Sequence, residues 1–256
     1  MLIKRKLILI LIVVLFPVLS VRGAAPNRDI FFAASISQEP AVIKYGIDVS
    51  KWQEEIEWGD VARSGIEFAM IRAGVGAYTE EIDDEVITVP ISEDSQFREY
   101  IKGAQEAGIE VGVYFYSYAQ TVGQIRQEAF FLTELLKDFA ITYPVALDME
   151  EDSEYYTDDP SQMAEAFLEV IVSEGYFPML YSYKSWLEDN ITSDIRGKYT
   201  VWVAHTDSRA TTYRGNYYMW QYSHTARVSG IKGRVDLNIA YRDFSAFIKL
   251  NKLNNL

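Results

Sequence analysis

The chain of 256 residues contains no cysteine and only two histidines, His205 and His224. The first absence excludes disulfides, thiol nucleophiles and cysteine-bound zinc. The second leaves little room for a histidine-ligated metal site. A serine triad would need one of these histidines, and the G-x-S-x-G pattern of a nucleophile elbow does not occur. We therefore expect neither a metal nor a cofactor.

The chain is also poor in basic residues. It carries 24 Lys and Arg against 37 Asp and Glu, which gives a formal net charge of −13. Phosphate binding needs a basic face, so this balance argues against a nucleic-acid partner. No basic run follows residue 6, and binding to an anionic membrane surface is disfavoured for the same reason.

The N-terminal hydrophobic run is too short for a typical membrane span. It extends from Leu7 to Ser20, 14 residues without a charge, and follows Lys4-Arg5-Lys6. This length and charge pattern are typical of a signal peptide. We expect residues 1–23 to be a signal peptide, or an uncleaved N-terminal anchor, and residues 24–44 to be a linker. The protein would then be secreted or extracytoplasmic.

From residue 45 to residue 250 the sequence alternates short apolar runs with helical patterns, which predicts one domain. Such alternation favours parallel pairing in βαβ units, most simply a barrel. The helical patterns weaken towards the end, so we expect an α/β fold, an irregular TIM-like barrel with fewer helices than strands. The predicted strands are Tyr45–Val49, Phe68–Ala73, Val111–Tyr116, Pro144–Met149, Phe177–Tyr181, Thr200–Ala204, Tyr218–Tyr222 and Val235–Asn238.

The stretch from Pro144 to Asp152 carries the strongest chemical signal. Its apolar residues have the composition of a buried strand and lead into Asp148 and Glu150. Residues i and i+2 of a strand share a face, so these carboxylates should point the same way, with Cβ atoms roughly 6–7 Å apart. One of two carboxyls that close keeps its proton to higher pH, as general acid catalysis on a glycosidic bond requires. Taken alone, the motif is more often a strand that ends in a solvated acidic loop.

Two further predicted strands carry a carboxylate, Asp48 and Asp236, where a parallel barrel places its reactive side chains. Three such positions, far apart in the sequence, favour a site over a solvated face. Neighbouring strand ends add aromatic and amide side chains that suit a sugar-binding groove, with core packing as the alternative for each. These are Tyr114, Tyr116, Tyr181, Trp202 and Gln221.

These residues fall within an ordered set of motifs that resembles glycoside hydrolase family 25, the Chalaropsis-type lysozymes or N-acetylmuramidases. The resemblance covers about Tyr45 to Lys249. It implies a distorted β/α barrel that acts on bacterial peptidoglycan, and we expect a monomer without an obligate protein partner. The motifs are Asp48-Val49-Ser50 with Gln53, Ile71-Arg72-Ala73, Gly112-Val113-Tyr114-Phe115-Tyr116-Ser117, Leu147-Asp148-Met149-Glu150, Trp220-Gln221-Tyr222-Ser223 and Val235-Asp236-Leu237-Asn238.

Carried onto this sequence, the resemblance implies roles for the four carboxylates. Glu150 would be the acid that protonates the leaving oxygen of the β-1,4 bond between MurNAc and GlcNAc. Asp148 would orient or stabilise the substrate's own N-acetyl oxygen, which acts as the internal nucleophile. Asp48 and Asp236 would maintain the hydrogen-bond network and the protonation of Glu150.

Two other functions remain open from the sequence. A catalytically idle wall-binding module could keep the same groove, although it would not need an acid at a strand end. A cation site could use the acidic run 148–158, but Ser153 stands where a calcium loop has its turn glycine, and Asp159 where it has its bidentate Glu. Glu151 and Asp152 are expected to be loop residues outside the site.

Two segments depart from the family pattern. His205 and Thr206 follow Trp202-Val203-Ala204, where the family often has an aromatic residue, so a stacking contact is missing or is replaced by His205. The acidic segment from Thr79 to Asp94 is longer than a minimal loop requires. We interpret this segment as a solvated insertion, with a role in shaping the groove as the alternative.

Overall fold

The computed structural model describes residues 42–82, 85–206 and 208–256. The predicted signal peptide or anchor over residues 1–23, and the linker as far as residue 41, lie outside the described residues. Within the described ranges, no helix combines the length and the apolar character that a membrane crossing needs.

Eight strands close into a barrel. They are β1 (Lys44–Val49), β2 (Phe68–Val75), β6 (Glu110–Tyr116), β7 (Val145–Asp148), β8 (Pro178–Tyr183), β9 (Thr200–Ala204), β10 (Met219–Ala226) and β11 (Val235–Ala240). They follow one another around the barrel in this order, and β11 pairs back to β1. The first seven run parallel, whereas β11 is antiparallel to both of its neighbours.

The described residues form seven α-helices, fewer than the eight barrel strands. They are α1 (Trp58–Arg63), α2 (Phe97–Glu106), α3 (Val122–Leu136), α4 (Pro160–Ser173), α5 (Lys184–Asn190), α6 (Ser193–Lys198) and α7 (Phe244–Leu250). The predicted irregular TIM-like barrel is thus confirmed. The short helices α5 and α6 were not predicted, because neither is long enough to show a clear hydrophobic period.

The two longest helices begin at side-chain caps. The hydroxyl of Thr121 accepts the N–H of Gln124 at the start of α3, and the Gln124 side chain accepts the N–H of Thr121 in return. The carboxylate of Asp159 accepts two N–H groups at the start of α4, where Pro160 occupies the first helical position. Such caps satisfy amide groups that have no partner within the helix.

The antiparallel β11 corrects the expectation of an all-parallel barrel. A parallel connection needs a crossover, usually a helix, but only residues 227–234 separate β10 from β11. The chain therefore turns back, and Asp236 lies near the start of its strand rather than at its end. Because β11 also runs in the opposite direction, Asp236 still lies opposite Asp48.

Alternate residues of the barrel strands separate two apolar layers. Side chains such as Met70, Ala146 and Met179 pack in the interior, whereas neighbours such as Ile71, Leu147 and Leu180 belong to the layer beneath the helices. Strands covered on both faces read as continuous apolar runs, which explains why the sequence predicts them well.

The chain's last residues close the end of the barrel where the parallel strands begin. The side chain of Asn254 accepts the N–H of Phe177 at 2.7 Å and donates to the carbonyl of Tyr143 at 2.8 Å. Leu253 and Asn254 are both buried. The packed domain thus continues beyond residue 250, the end that the sequence predicts.

The acidic segment from Thr79 to Asp94 contains a hairpin of β3 (Tyr78–Ile82) and β4 (Glu85–Val89), followed by the short strand β5 (Ser92–Glu93). Strand β5 pairs with the end of β2. Most of the hairpin is exposed, and the Tyr78 ring contacts Tyr118 at a centroid distance of 4.9 Å. The segment is therefore ordered strand rather than loop, and its base contacts the mouth of the barrel.

The fold makes a prediction about Gly112, in the interior of the barrel. A Cβ there would lie 2.6 Å from the sulfur of Met70 and 2.8 Å from the carbonyl oxygen of Pro144. We expect Gly112→Ala to lower the free energy of unfolding by about 1–3 kcal/mol, measured by urea denaturation. Gly197→Ala is the matched control, since Gly197 lies in α6 with open space around its Cβ position. A Gly112→Ala protein as stable as the control would contradict this packing.

Candidate active site

The carboxyl ends of the parallel strands surround a cavity of about 240 Å³. All nine residues that the sequence predicts for the site line it: Asp48, Tyr114, Tyr116, Asp148, Glu150, Tyr181, Trp202, Gln221 and Asp236. A second cavity, of about 760 Å³, adjoins the first. Four residues line both and form the boundary between them: Glu150, Tyr181, Gln221 and Asp236.

A hydrogen-bond network joins Asp48 to Asp236 across three strands. The amide nitrogen of Gln221 donates to Asp48 Oδ2 at 3.0 Å and to Asp236 Oδ2 at 3.3 Å. Asn238 donates to the same Asp48 oxygen at 2.7 Å. Burial, and then the charge of Asp236, raise the pKa of Asp48 to about 7. Burial, and then the charge of Glu150, also raise the pKa of Asp236, so the two carboxyls can share a proton.

Asp148 ends β7, and Glu150 lies two residues beyond it. Asp148 is 3% exposed, and its Oδ1 atom has no hydrogen-bond partner among the described residues. Burial, followed by the charge of Glu150, raises the pKa of Asp148 well above the ordinary aspartate value. Burial also raises the pKa of Glu150. Two neighbouring acids that keep their protons to higher pH than usual are equipped to donate a proton or a hydrogen bond.

Two tyrosines hold Glu150. The Tyr183 hydroxyl donates to Glu150 Oε2 at 2.9 Å, and hydrogen bonds from Tyr183 and Tyr181 oppose the effect of burial on the pKa of Glu150. The Tyr181 hydroxyl also donates to Gln221 Oε1 at 3.0 Å, and because it has one proton it serves one acceptor at a time. Tyr183 is not among the nine residues that the sequence predicts for the site, and it lines the larger cavity rather than the smaller one.

The predicted aromatic residues are exposed to different extents. Trp202 is 1% exposed, with its indole N–H donating to Asn238 and its ring 4.3 Å from that of Tyr181. It packs as a core side chain at the cavity floor rather than as an open stacking surface. Tyr114 and Tyr116 are half-buried.

Glu151 does not itself line either cavity, but it supports two aromatic side chains near the site. Its carboxylate accepts the hydroxyl of Tyr116 at 3.0 Å, and its carbonyl accepts the indole N–H of Trp186 at 2.7 Å. Asp152 is exposed and makes no contact with the cavity lining. No local pattern could predict the contact of Glu151 with Tyr116, because the two residues lie 35 positions apart.

Arg72 and Trp52 complete the mouth of the smaller cavity. Arg72 is the one cationic side chain that lines this cavity, and both its Nε and Nη2 atoms lie 2.7 Å from Asp94 Oδ2. Trp52 is 73% exposed, with the ammonium of Lys51 about 5.0 Å from its ring centroid. An exposed tryptophan beside a polar cavity is a surface on which a sugar ring can stack.

The described residues contain no group of three or more His, Asp or Glu side chains arranged to hold a metal ion. The cation site considered for residues 148–158 therefore gains no support from the geometry of these residues.

Comparison with known proteins places this geometry in a family. The family model for glycosyl hydrolases family 25 matches residues 47–231, which include eight of the nine predicted site residues. The chain belongs to this family. The remaining site residue, Asp236, lies five positions beyond the match.

Members of family 25 with described activities share most of this domain. The autolytic lysozyme of Clostridium acetobutylicum is 26% identical over 194 residues, which are 75% of this chain and 54% of that protein. This chain thus matches about half the length of that relative.

Solved structures share the fold. A bacterial lysozyme from Streptomyces coelicolor superposes with a TM-score of 0.65 at 26% identity, covering 83% of this chain and 97% of that one. The autolysin LytC from Streptococcus pneumoniae, in complex with a synthetic peptidoglycan ligand, also superposes with a TM-score of 0.65 at 26% identity. The match covers 78% of this chain and 47% of that one.

The family 25 site makes a prediction about stability and pH. Because folding raises the pKa of Asp48, its stabilising contribution is present below the ordinary aspartate pKa and is lost as pH rises through about 7. Asn at this position can accept from Gln221 and Asn238 through its oxygen and donate to Asp236. We therefore expect Asp48→Asn to raise the free energy of unfolding at pH 8 by on the order of 1–3 kcal/mol and to leave it little changed at pH 4.

Urea denaturation at the two pH values measures this effect. Asp138→Asn, at an exposed aspartate in the turn after α3, provides the control for the chemical change alone. A loss of stability at pH 8 in the Asp48 variant would contradict the buried, proton-sharing pair.

Proposed function

We propose that this protein is a peptidoglycan hydrolase that cleaves the β-1,4 bond between MurNAc and GlcNAc by general acid catalysis. The observation that carries the proposal is the pairing of Glu150 with Asp148 at one cavity of a family 25 barrel. Glu150 is held by tyrosines, and Asp148 presents a free acceptor oxygen beside it. The lysozyme and autolysin relatives support the substrate class.

Glu150 is the proton donor in this mechanism. Its raised pKa keeps it protonated to higher pH than an ordinary glutamate, so it can protonate the leaving glycosidic oxygen. Tyr183 fixes the carboxyl by its hydrogen bond to Oε2 and stabilises the carboxylate that remains after proton transfer.

Asp148 acts on the substrate's N-acetyl group. The unpartnered Oδ1 of Asp148 is buried at the cavity floor, where it can accept the amide N–H of that group. Such a contact orients the acetyl oxygen towards the anomeric carbon for its attack. Substrate participation of this kind lies outside the two-carboxylate mechanisms of most glycosidases. Asp48 and Asp236 maintain the surrounding proton distribution without touching the reacting bond.

The remaining predicted residues form the sugar-binding groove in this proposal. Tyr114, Tyr116, Tyr181 and Gln221 line the cavity directly, and Trp202 supports them from the floor. The exposed ring of Trp52 extends the groove at its rim. Export, through the N-terminal segment read as a signal peptide or anchor, would bring the enzyme to its substrate.

The proposal predicts that Glu150→Gln abolishes activity. The change is nearly isosteric but removes the transferable proton, so we expect turbidity loss of purified cell walls to slow by at least about 10²–10⁴-fold. Glu154→Gln, an exposed glutamate four positions on, is the matched control and should retain full activity. Full activity of Glu150→Gln would refute the assignment. Wall binding by the wild type without release of reducing sugar would instead favour the idle binding module.

A second prediction concerns the pH profile. The Tyr183 hydrogen bond lowers the pKa of Glu150, so its removal in Tyr183→Phe raises that pKa further. Since the protonated acid is the active form, we expect the alkaline limb of kcat/KM to move to higher pH, together with a lower maximal rate. Tyr45→Phe is the control, because Tyr45 is exposed to a similar extent (48% against 46%) and does not line the cavity. A shift to lower pH would contradict the assigned role.

A further inference from the structure

Both histidines of the chain line the larger cavity, although they are 19 positions apart in the sequence. His224 lies on β10, and His205 follows β9. Lys184, at the start of α5, lines the same cavity. None of the three lines the smaller cavity that holds Asp48 and Asp148. The larger cavity therefore has carboxylates at its boundary with the catalytic cavity and hydrogen-bond donors elsewhere along its wall.

His205 is held rigidly with one nitrogen available. Its backbone N–H donates to Gln221, and its carbonyl accepts the indole N–H of Trp220 at 3.0 Å. Its Nδ1 atom accepts the backbone N–H of Thr212 at 3.2 Å. An accepting Nδ1 places the proton of the neutral ring on Nε2. His205 therefore offers a fixed N–H donor on the side of the ring opposite the Thr212 contact.

Lys184 and His224 can also donate hydrogen bonds into the larger cavity. Lys184 pairs with Glu188 at 2.8 Å, which uses one of the three N–H groups of its ammonium. His224 is exposed at the cavity, and the hydroxyls of Ser185 and Thr206 lie on the same wall. A wall of this composition suits a ligand that only accepts hydrogen bonds and carries negative charge.

We propose that this wall binds a carboxylate of the glycan strand, on the sugar or stem peptide next to the bond held at Glu150. The inference rests on the proposed function and gives that site a substrate preference. A MurNAc residue carries such a group on its lactyl ether, and stem peptides carry others. Because the chain has a formal net charge of −13, a local set of donors is what allows an anionic strand to approach the groove.

The test compares glycans that differ only in this charge. Glycan strands with free lactyl carboxylates, obtained by removing the stem peptides, are compared with the same strands after conversion of the carboxylates to neutral amides. We expect the wild type to show a higher kcat/KM on the carboxylate form, by about tenfold for one charge-assisted contact. Strands that retain stem peptides form a third arm, and a preference confined to them would assign the stem carboxylate rather than the lactyl group as the ligand.

Two variants remove the donors in different ways. Lys184→Gln combined with His224→Gln removes a charge and an imidazole, and His205→Asn keeps an acceptor near the Nδ1 position while deleting the Nε2 donor. We expect the ratio of kcat/KM values between the two glycans to fall towards one in both variants. Lys102→Gln is the matched control, since Lys102 also pairs with a glutamate four positions on, in α2, and should keep the wild-type ratio.

The outcomes separate this inference from the proposed function. Cleavage of all three glycans by the wild type at equal kcat/KM would overturn the carboxylate assignment and leave the muramidase proposal standing. Equal loss of activity on both glycans in the variants would also overturn it, because that result indicates a structural effect. Failure of the wild type to cleave any of the glycans would refute the proposed function itself.

Discussion

The burial of several carboxyl groups with very little cationic compensation is the constraint on which this site depends. Among the described residues, Arg72 is the one cation that lines the smaller cavity, and it is already paired with Asp94. Desolvation is the leading reason why the pKa values of Asp48, Asp148 and Asp236 are raised. Protons, rather than ion pairs, therefore neutralise the mouth of the barrel. A site arranged in this way keeps its acids protonated through desolvation.

The same constraint connects the site to the architecture. Asp48 is neutralised and hydrogen-bonded only because Gln221, Asn238 and Asp236 meet it from β10 and β11. Those contacts exist because β11 turns back antiparallel and closes the barrel against β1. Along the inward-facing positions of a strand, the side chains change from apolar to polar towards the mouth, as from Met179 to Tyr181 and from Met219 to Gln221. The inward-facing positions of the same strands thus supply both the apolar core and the polar lining of the cavity.

Local sequence patterns were sufficient to predict most of the strands and the residues that line the cavity. Strands buried on both faces have a strong apolar signal, and a polar residue that interrupts this signal, such as Asp148, stands out. The direction of β11 could not be predicted in this way, because it depends on the absence of a crossover helix between two strands whose own sequences do not encode pairing direction. The hairpin in the acidic segment was missed because its residues are mostly exposed and lack a buried face.

The contacts within the site were harder to predict than its members, because they join residues distant in the chain. Gln221 and Asn238 lie 173 and 190 positions from Asp48, and the contact from Tyr183 to Glu150 spans 33. Hydrophobic periodicity describes short stretches of sequence and cannot identify such distant pairs. Yet these contacts influence the pKa of each carboxyl and fix the position of its side chain, so they determine the chemistry that the cavity can support. The motif Asp148-x-Glu150 identifies two of the acids, whereas the hydrogen bonds that position the buried carboxyls come from tyrosine and amide side chains distant in the sequence.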